Sequence, residues 1–263
     1  KADTILITGS NTSENHPVLS SFVKRAVTQR GAKLIVVDPR RIKIARFADL
    51  YMRQNLGTDV AWLNGMMHVI IKEGLHDQDF VEQRTNGFEE VKQTVEKFTP
   101  EYVEEITGIP ADDIVTAARM YATAERGSIL YCMGITQHNH GTDNVKSLAN
   151  LQMLLGNIGK PGTGLNPLRG QNNVQGCSDS GGLPNVYTAY QRVDAPEIQQ
   201  KFEQTWGAKL NPQAGLTATE MIDGALTGAI KGMFIVGENP MLSDPDLTHV
   251  ELALKRLAAL PTP

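Results

Sequence analysis

Short apolar runs alternate with segments of helical spacing over the first half of the chain. Thr4–Thr8 is a β-branched apolar run that ends at Gly9 and predicts a buried strand. After the polar loop Ser10–Asn15, a helix is predicted over His16–Arg30, with Gly31 placed to stop it. Lys33–Val37 predicts a second buried strand, closed by Asp38-Pro39. Two strands joined by one helix form a right-handed βαβ unit, with both strands parallel and their carboxyl ends on one edge. Further helices are predicted over Asp59–Glu73 after Thr58 as N-cap, Pro100–Ile106 after Thr99, and Ala111–Ala124. A third strand is predicted at Ser128–Cys132, followed by a helix over about 143–155.

The texture changes at Gly156. Residues 156–182 contain eight glycines, too many for regular helix or strand, and the polar side chains among them point to a binding loop. Beyond it, helices are predicted at Ala195–Trp206 and Ala218–Leu226. Thr217 and Glu220 have the spacing of a capping box before the second of these. A strand is predicted at Gly232–Val236 and a last helix at Leu247–Leu257. The expected fold is α/β: a Rossmann-like parallel sheet flanked by helices over residues 1–170, then part of a second α/β domain over residues 171–263. That second part has too few strands to close a sheet alone and needs partner segments.

A net charge of −4 gives no general attraction to nucleic acid or to an anionic membrane. No apolar run approaches the ~18 residues of a membrane-spanning helix. The compartment expected is the cytoplasm, or the periplasm if an upstream signal has been removed. Cys132 and Cys177 form no C-x-x-C pair, so no cysteine-rich metal site is expected within the chain. His138-Asn139-His140 has H-x-H spacing but no further ligands, and is read as loop.

Candidate chemistry gathers at the strand ends Gly9-Ser10-Asn11, Asp38-Pro39-Arg40 and Met133–Gln137, with a further such turn at Gly237–Pro240. Ligands of open α/β sheets bind at those ends, and glycine lets a phosphate approach the backbone. The first turn lacks the second glycine of G-x-G-x-x-G, which disfavours an ordinary NAD site, although Asp38 stands where a ribose-binding acid would be expected. A reading of all these as generic αβ turns stays open. Asn166–Gly176 is more specific. It sets one arginine among amide side chains, a guanidinium fork for an anion beside groups that both donate and accept toward a heterocycle.

Arg169-Gly-Gln-Asn-Asn-Val-Gln-Gly176 resembles the signature of formate dehydrogenase alpha subunits in the dimethyl sulfoxide reductase superfamily. Asp38-Pro39-Arg40, Tyr131–Gln137, Leu155–Gly162 and Val236–Pro240 are similar to that family too, and in the right order. The resemblance implies a molybdenum or tungsten ion held by two molybdopterin guanine dinucleotides. It places pterin and guanosine contacts at Gly9, Asn11, Asp38, Met133, Gln137, Gln171, Asn172, Gly237 and Asn239. It also matches Arg169 to the arginine that holds formate beside the metal.

The same resemblance implies an electron-transfer subunit or iron–sulfur protein as partner. The family's amino-terminal [4Fe-4S] cysteine cluster, its metal-ligating cysteine or selenocysteine and its carboxy-terminal cap are absent here. No metal ligand is therefore expected within the chain, and the chain alone is expected not to oxidise formate. Another molybdopterin oxidoreductase such as a nitrate reductase, or a metal-free structural relative in a respiratory NADH dehydrogenase, remains as the alternative.

Overall fold

The computed structural model describes residues 1–244 and 246–258. The chain separates into two compact units, Lys1–Gly170 and Gln171–Pro263; residues 245 and 259–263 of the second expected domain lie outside the described residues.

The first unit is built on a five-stranded sheet: β1 (Thr4–Thr8), β2 (Lys33–Val37), β3 (Leu50–Met52), β4 (Gly127–Tyr131) and β5 (Gly164–Pro167). Their order across the sheet is β3-β2-β1-β4-β5, and all four pairings are parallel. The chain steps outward from β1 on one side, then crosses to β4 and steps outward on the other. The order therefore reverses between β1 and β4, which opens a crevice at their carboxyl ends.

Strand periodicity sends alternate side chains to opposite faces, and each face has its own core. Leu6, Ile35, Val37, Met52, Ile129 and Tyr131 pack on one face. Their cover comes from helices Asp59–Lys72, Pro100–Thr107, Ala111–Ala122 and Gly141–Leu154, with Trp62, Met66, Val103, Ile114, Tyr121 and Leu151 buried among them. Ile5, Ile7, Leu34, Val36 and Leu130 point the other way, to Val23 and Ala26 of helix Pro17–Arg30 and to Ile44 of the 3-10 turn Lys43–Phe47. The parallel sheet expected from the βαβ pattern is present.

Several local expectations change. The glycine-rich stretch is not wholly irregular: it contains β5 and a short helix, Val174–Asp179. Pairing with β4 supplies the hydrogen bonds that hold β5 in place, despite its glycine and proline. Thr58 precedes its helix without capping it, because its hydroxyl donates to the Asn55 carbonyl instead (2.7 Å). The strand expected at Gly232–Val236 does not form. Phe234 and Val236 are 75% and 70% exposed, and among the described residues only Gly232 makes an isolated bridge. An apolar run needs a neighbouring strand to become one.

Within the second unit, a two-stranded antiparallel hairpin, β6 (Val186–Tyr187) and β7 (Gln191–Arg192), is followed by helix Pro196–Trp206. Tyr187 stacks on Phe202 at 4.6 Å between centroids. The expected capping box is present at helix Ala218–Thr227: the Glu220 carboxylate accepts the Thr217 N–H at 2.7 Å, and the Thr217 hydroxyl accepts the Glu220 N–H at 3.5 Å. Among the described residues, no helix is long and apolar enough to cross a membrane.

Candidate functional site: a cleft at the sheet's switch point

The crevice between β1 and β4 is a cleft of about 270 Å³. Gly9, Ser10 and Asn11 supply the β1 end, Asp38, Pro39 and Arg40 the β2 end, and Cys132, Met133 and Gly134 the β4 end. Gln54, Leu56, Gly57 and Asp59 form a further wall, leading from β3 into the next helix, and His138 closes one side.

Two glycines shape the floor. Gly9 has φ +56°, and its carbonyl accepts the Gly134 N–H at 3.0 Å. A Cβ on Gly9 would lie 2.6 Å from the Ile135 nitrogen, and one on Gly134 would lie 2.6 Å from the Gly9 Cα. The two loops approach closely because neither residue has a side chain.

The walls are rich in acceptors. Asp38 is 5% exposed, and its Oδ1 accepts the Arg40 N–H at 2.8 Å. Asp59 is 2% exposed and accepts from Gln54 Nε2 at 3.2 Å and Trp62 Nε1 at 3.3 Å. With its nitrogen committed to Asp59, Gln54 keeps a buried Oε1 without a donor; Asn11 donates to Glu14 at 2.7 Å and keeps a buried Oδ1 in the same state. Uncompensated buried acceptors are costly. These fit a ligand whose edges carry N–H and O–H groups, as a guanine, a pterin or a ribose does.

Burial pushes the Asp38 carboxyl above its ordinary range; the Arg40 N–H and charge oppose this, and the Asp59 charge adds to it. The folded chain therefore holds this proton to higher pH than the unfolded chain, whose carboxyl titrates near ~3.9. Stability from this group is fullest at low pH and is lost as pH rises from that value through the raised folded one. Asp38→Asn keeps an acceptor for Arg40 and removes the ionisation. It is expected to raise stability at pH 7 and to flatten the stability slope across that window. Urea unfolding at several pH values checks this; a steeper slope in the variant would contradict it.

The expected site residues divide between the two units. Gly9, Asn11, Asp38 and Met133 line the cleft together. Gln137 caps the single helical turn Met133–Thr136 and is exposed beyond the lining. Arg169 follows β5 and is exposed. No hydrogen bond or ion pair reaches its guanidinium among the described residues, and its charge is close enough to oppose the upward push of burial on Tyr131. Gln171, Asn172, Gly237 and Asn239 belong to the second unit. Gln171 and Asn172 are exposed ahead of helix Val174–Asp179, Gly237 has φ +70°, and the Asn239 side chain accepts the Met241 N–H at 3.2 Å.

Gln54, Asp59 and His138 were not singled out as site residues from the sequence. Gln54 and Asp59 follow a three-residue strand with no visible signal. His138 reads as loop, yet its Nε2 donates to the Gly134 carbonyl at 2.9 Å and lies 3.9 Å from Asp59. No group of three possible metal ligands occurs among the described residues.

The family model described as molybdopterin oxidoreductase matches residues 1–260. The chain is 53% identical over 256 residues to the F420-dependent formate dehydrogenase subunit alpha of Methanocaldococcus jannaschii, covering 97% of this chain and 37% of that one. It is 45% identical to formate dehydrogenase H of Escherichia coli, covering 97% and 36%. It thus spans little more than a third of the length of these relatives. Among solved structures, acetylene hydratase from Pelobacter acetylenicus matches with a TM-score of 0.75 at 25% identity, over 98% of this chain and 38% of that one. A switch-point cleft of buried acceptors, in a chain that matches this model almost from end to end, makes the protein a member of the molybdopterin oxidoreductase family.

Proposed function

We propose that this chain is the cofactor-binding portion of a molybdenum- or tungsten-dependent formate dehydrogenase catalytic subunit, and that Arg169 binds formate. The observation that carries the reading is an exposed guanidinium two residues after β5, unpaired among the described residues and one residue from a carbonyl that is hydrogen-bonded to Cys132 of the cleft. The high identity to formate dehydrogenase subunits supports formate as the anion.

In this reading the first unit binds a molybdopterin guanine dinucleotide. Asn11, Gln54, Asp38 and Asp59 accept from its heterocycle and ribose, and Gly9 and Met133 lie where the backbone approaches it. Gln137, Gln171, Asn172, Gly237 and Asn239 hold the rest of the two dinucleotides. When bound, the metal centre would supply a two-electron oxidant for formate, whose C–H bond is broken to give carbon dioxide, a proton and two electrons. Arg169 orients the formate carboxylate through two parallel N–H donors. A [4Fe-4S] cluster held by other residues of the full-length subunit would carry the electrons on to an electron-transfer partner.

Guanine nucleotide binding tests the cofactor half of the reading. Calorimetry of the 263-residue chain with GDP is expected to show a weak site, Kd about 10–100 μM, because only part of the cofactor is offered. Asp59→Ala and Gln54→Ala should each weaken it. Absence of any heat from GDP at millimolar concentration would refute the assignment of the cleft.

A further inference from the structure

The guanidinium of Arg169 has no hydrogen-bond or ion-pair partner among the described residues, but its backbone is held. The peptide group before it is tied to the turn that ends β4: Cys132 Sγ donates to the Leu168 carbonyl at 2.9 Å, and one peptide earlier the Leu168 N–H donates to the Tyr131 carbonyl at 2.7 Å. The peptide group after it is tied to the loop beyond β1, where His16 Nε2 lies 2.9 Å from the Arg169 carbonyl oxygen. A carbonyl only accepts, so Nε2 carries the proton. The other ring nitrogen, Nδ1, is buried and has no partner among the described residues, so among them the Arg169 carbonyl is the imidazole's one hydrogen-bond partner. His16 is itself held: its N–H donates to the Thr12 carbonyl at 3.0 Å, its carbonyl accepts the Ser20 N–H at 2.9 Å, and Pro17 begins the helix behind it.

Two peptide planes meet at each Cα, and fixing both fixes φ and ψ there. Cys132 and His16 fix the two planes that flank Arg169, from opposite sides of the β1–β4 switch point. Without the second tie, the plane between Arg169 and the flexible Gly170 would turn freely and the guanidinium would sweep a wide arc. A clamp that orients a small anion loses effect when misplaced by about 1 Å.

We propose that His16 is a positioning residue: it fixes the carbonyl-side peptide plane of Arg169 and so aims the guanidinium. Its catalytic meaning rests on the formate reading above, whereas the anchoring itself does not. The cleavage of the Arg169–Gly170 bond by trypsin reads the anchor without any cofactor, because a protease must draw that segment into an extended strand.

On the 263-residue chain, His16→Ala is expected to speed cleavage at that bond by about 3- to 10-fold, the size of one neutral hydrogen bond. Cleavage after Lys209 and the thermal midpoint should stay unchanged. His16→Gln, whose amide still offers an N–H donor, should stay close to wild type. Unchanged cleavage in His16→Ala, or acceleration at both bonds together, overturns the anchor.

In the metal-loaded subunit, His16→Ala should raise KM for formate at least about 3-fold with metal content intact, and His16→Gln should restore it. An unchanged KM in a metal-replete His16→Ala protein overturns the aiming role. The two ideas fail separately. If Arg169→Ala leaves formate kinetics untouched while His16→Ala still exposes the bond, the formate reading is lost and the anchor stands.

Discussion

Arg169→Ala is expected to lower kcat/KM for formate by about 100-fold or more, in a subunit whose metal and pterin content stay near wild type. Formate offers almost no apolar surface, so its orientation must come from charge-assisted hydrogen bonds. A guanidinium presents two parallel donors to a carboxylate and stays charged at every accessible pH. Each such bond is worth about 1.5–3 kcal/mol, so losing both costs at least two orders of magnitude. Arg169→Lys keeps the charge and loses the fork, and should cost about 10- to 100-fold. If Arg169 instead braced its loop or paired with a pterin phosphate, both variants would shed cofactor in proportion to activity. Steady-state kinetics alongside metal quantification separate the two cases, and wild-type kinetics in a metal-replete Arg169→Ala protein would end the clamp idea.

The second large effect is on stability. Gly9→Ala is expected to destabilise the first unit by about 2–4 kcal/mol. About 1 kcal/mol comes from the left-handed backbone and the rest from overpacking against Gly134 and Ile135. Gly134→Ala has no left-handed backbone to hold, only the clash with Gly9, and should cost about 1–3 kcal/mol. Gly31 separates the two terms: its φ is +70°, but nothing lies within 4 Å of a Cβ there, so Gly31→Ala should show the backbone term alone. The two tryptophans give a clean readout, because Trp62 lies in the core of the first unit and Trp206 in the second. In a Trp206→Phe background, fluorescence follows the first unit, and the urea midpoint of Gly9→Ala should fall by about 1–2 M. A midpoint shift no larger than that of Gly31→Ala would show that the loops relax around the added carbon.

Buried parallel strands were legible where they are long. β1, β2 and β4 are five-residue runs rich in apolar side chains, and the turns that end them hold Gly9, Asn11, Asp38 and Met133, which line the cleft. β3 has three residues and β5 begins with glycine and ends with proline, so each exists because a longer neighbour templates it. Missing β3 also hid Gln54 and Asp59. Gly232–Val236 failed in the reverse direction: it is an apolar run that, among the described residues, makes one bridge at Gly232 and no strand. Arg169 stood out by its company of amides, whereas the histidine that ties its carbonyl is 153 residues away, and its place before Pro17 reads as a helix start or as facing the cofactor, not as this contact.

Asn157 sits at the other end of the sheet from the cleft. Its Oδ1 accepts the N–H of Gly127, the first residue of β4, at 3.0 Å. Gln152, held by the Tyr121 hydroxyl at 2.7 Å, donates to the carbonyl of the same glycine at 3.4 Å. Leu155–Gly162, one of the stretches that makes the chain recognisable, therefore fastens the blunt end of a strand and has no part in the cleft's lining. A probe built on that stretch would trace ancestry and be blind to reaction: it would gather enzymes that share the scaffold whatever they do to their substrates. Sorting them by chemistry has to begin from the opposite edge of the sheet.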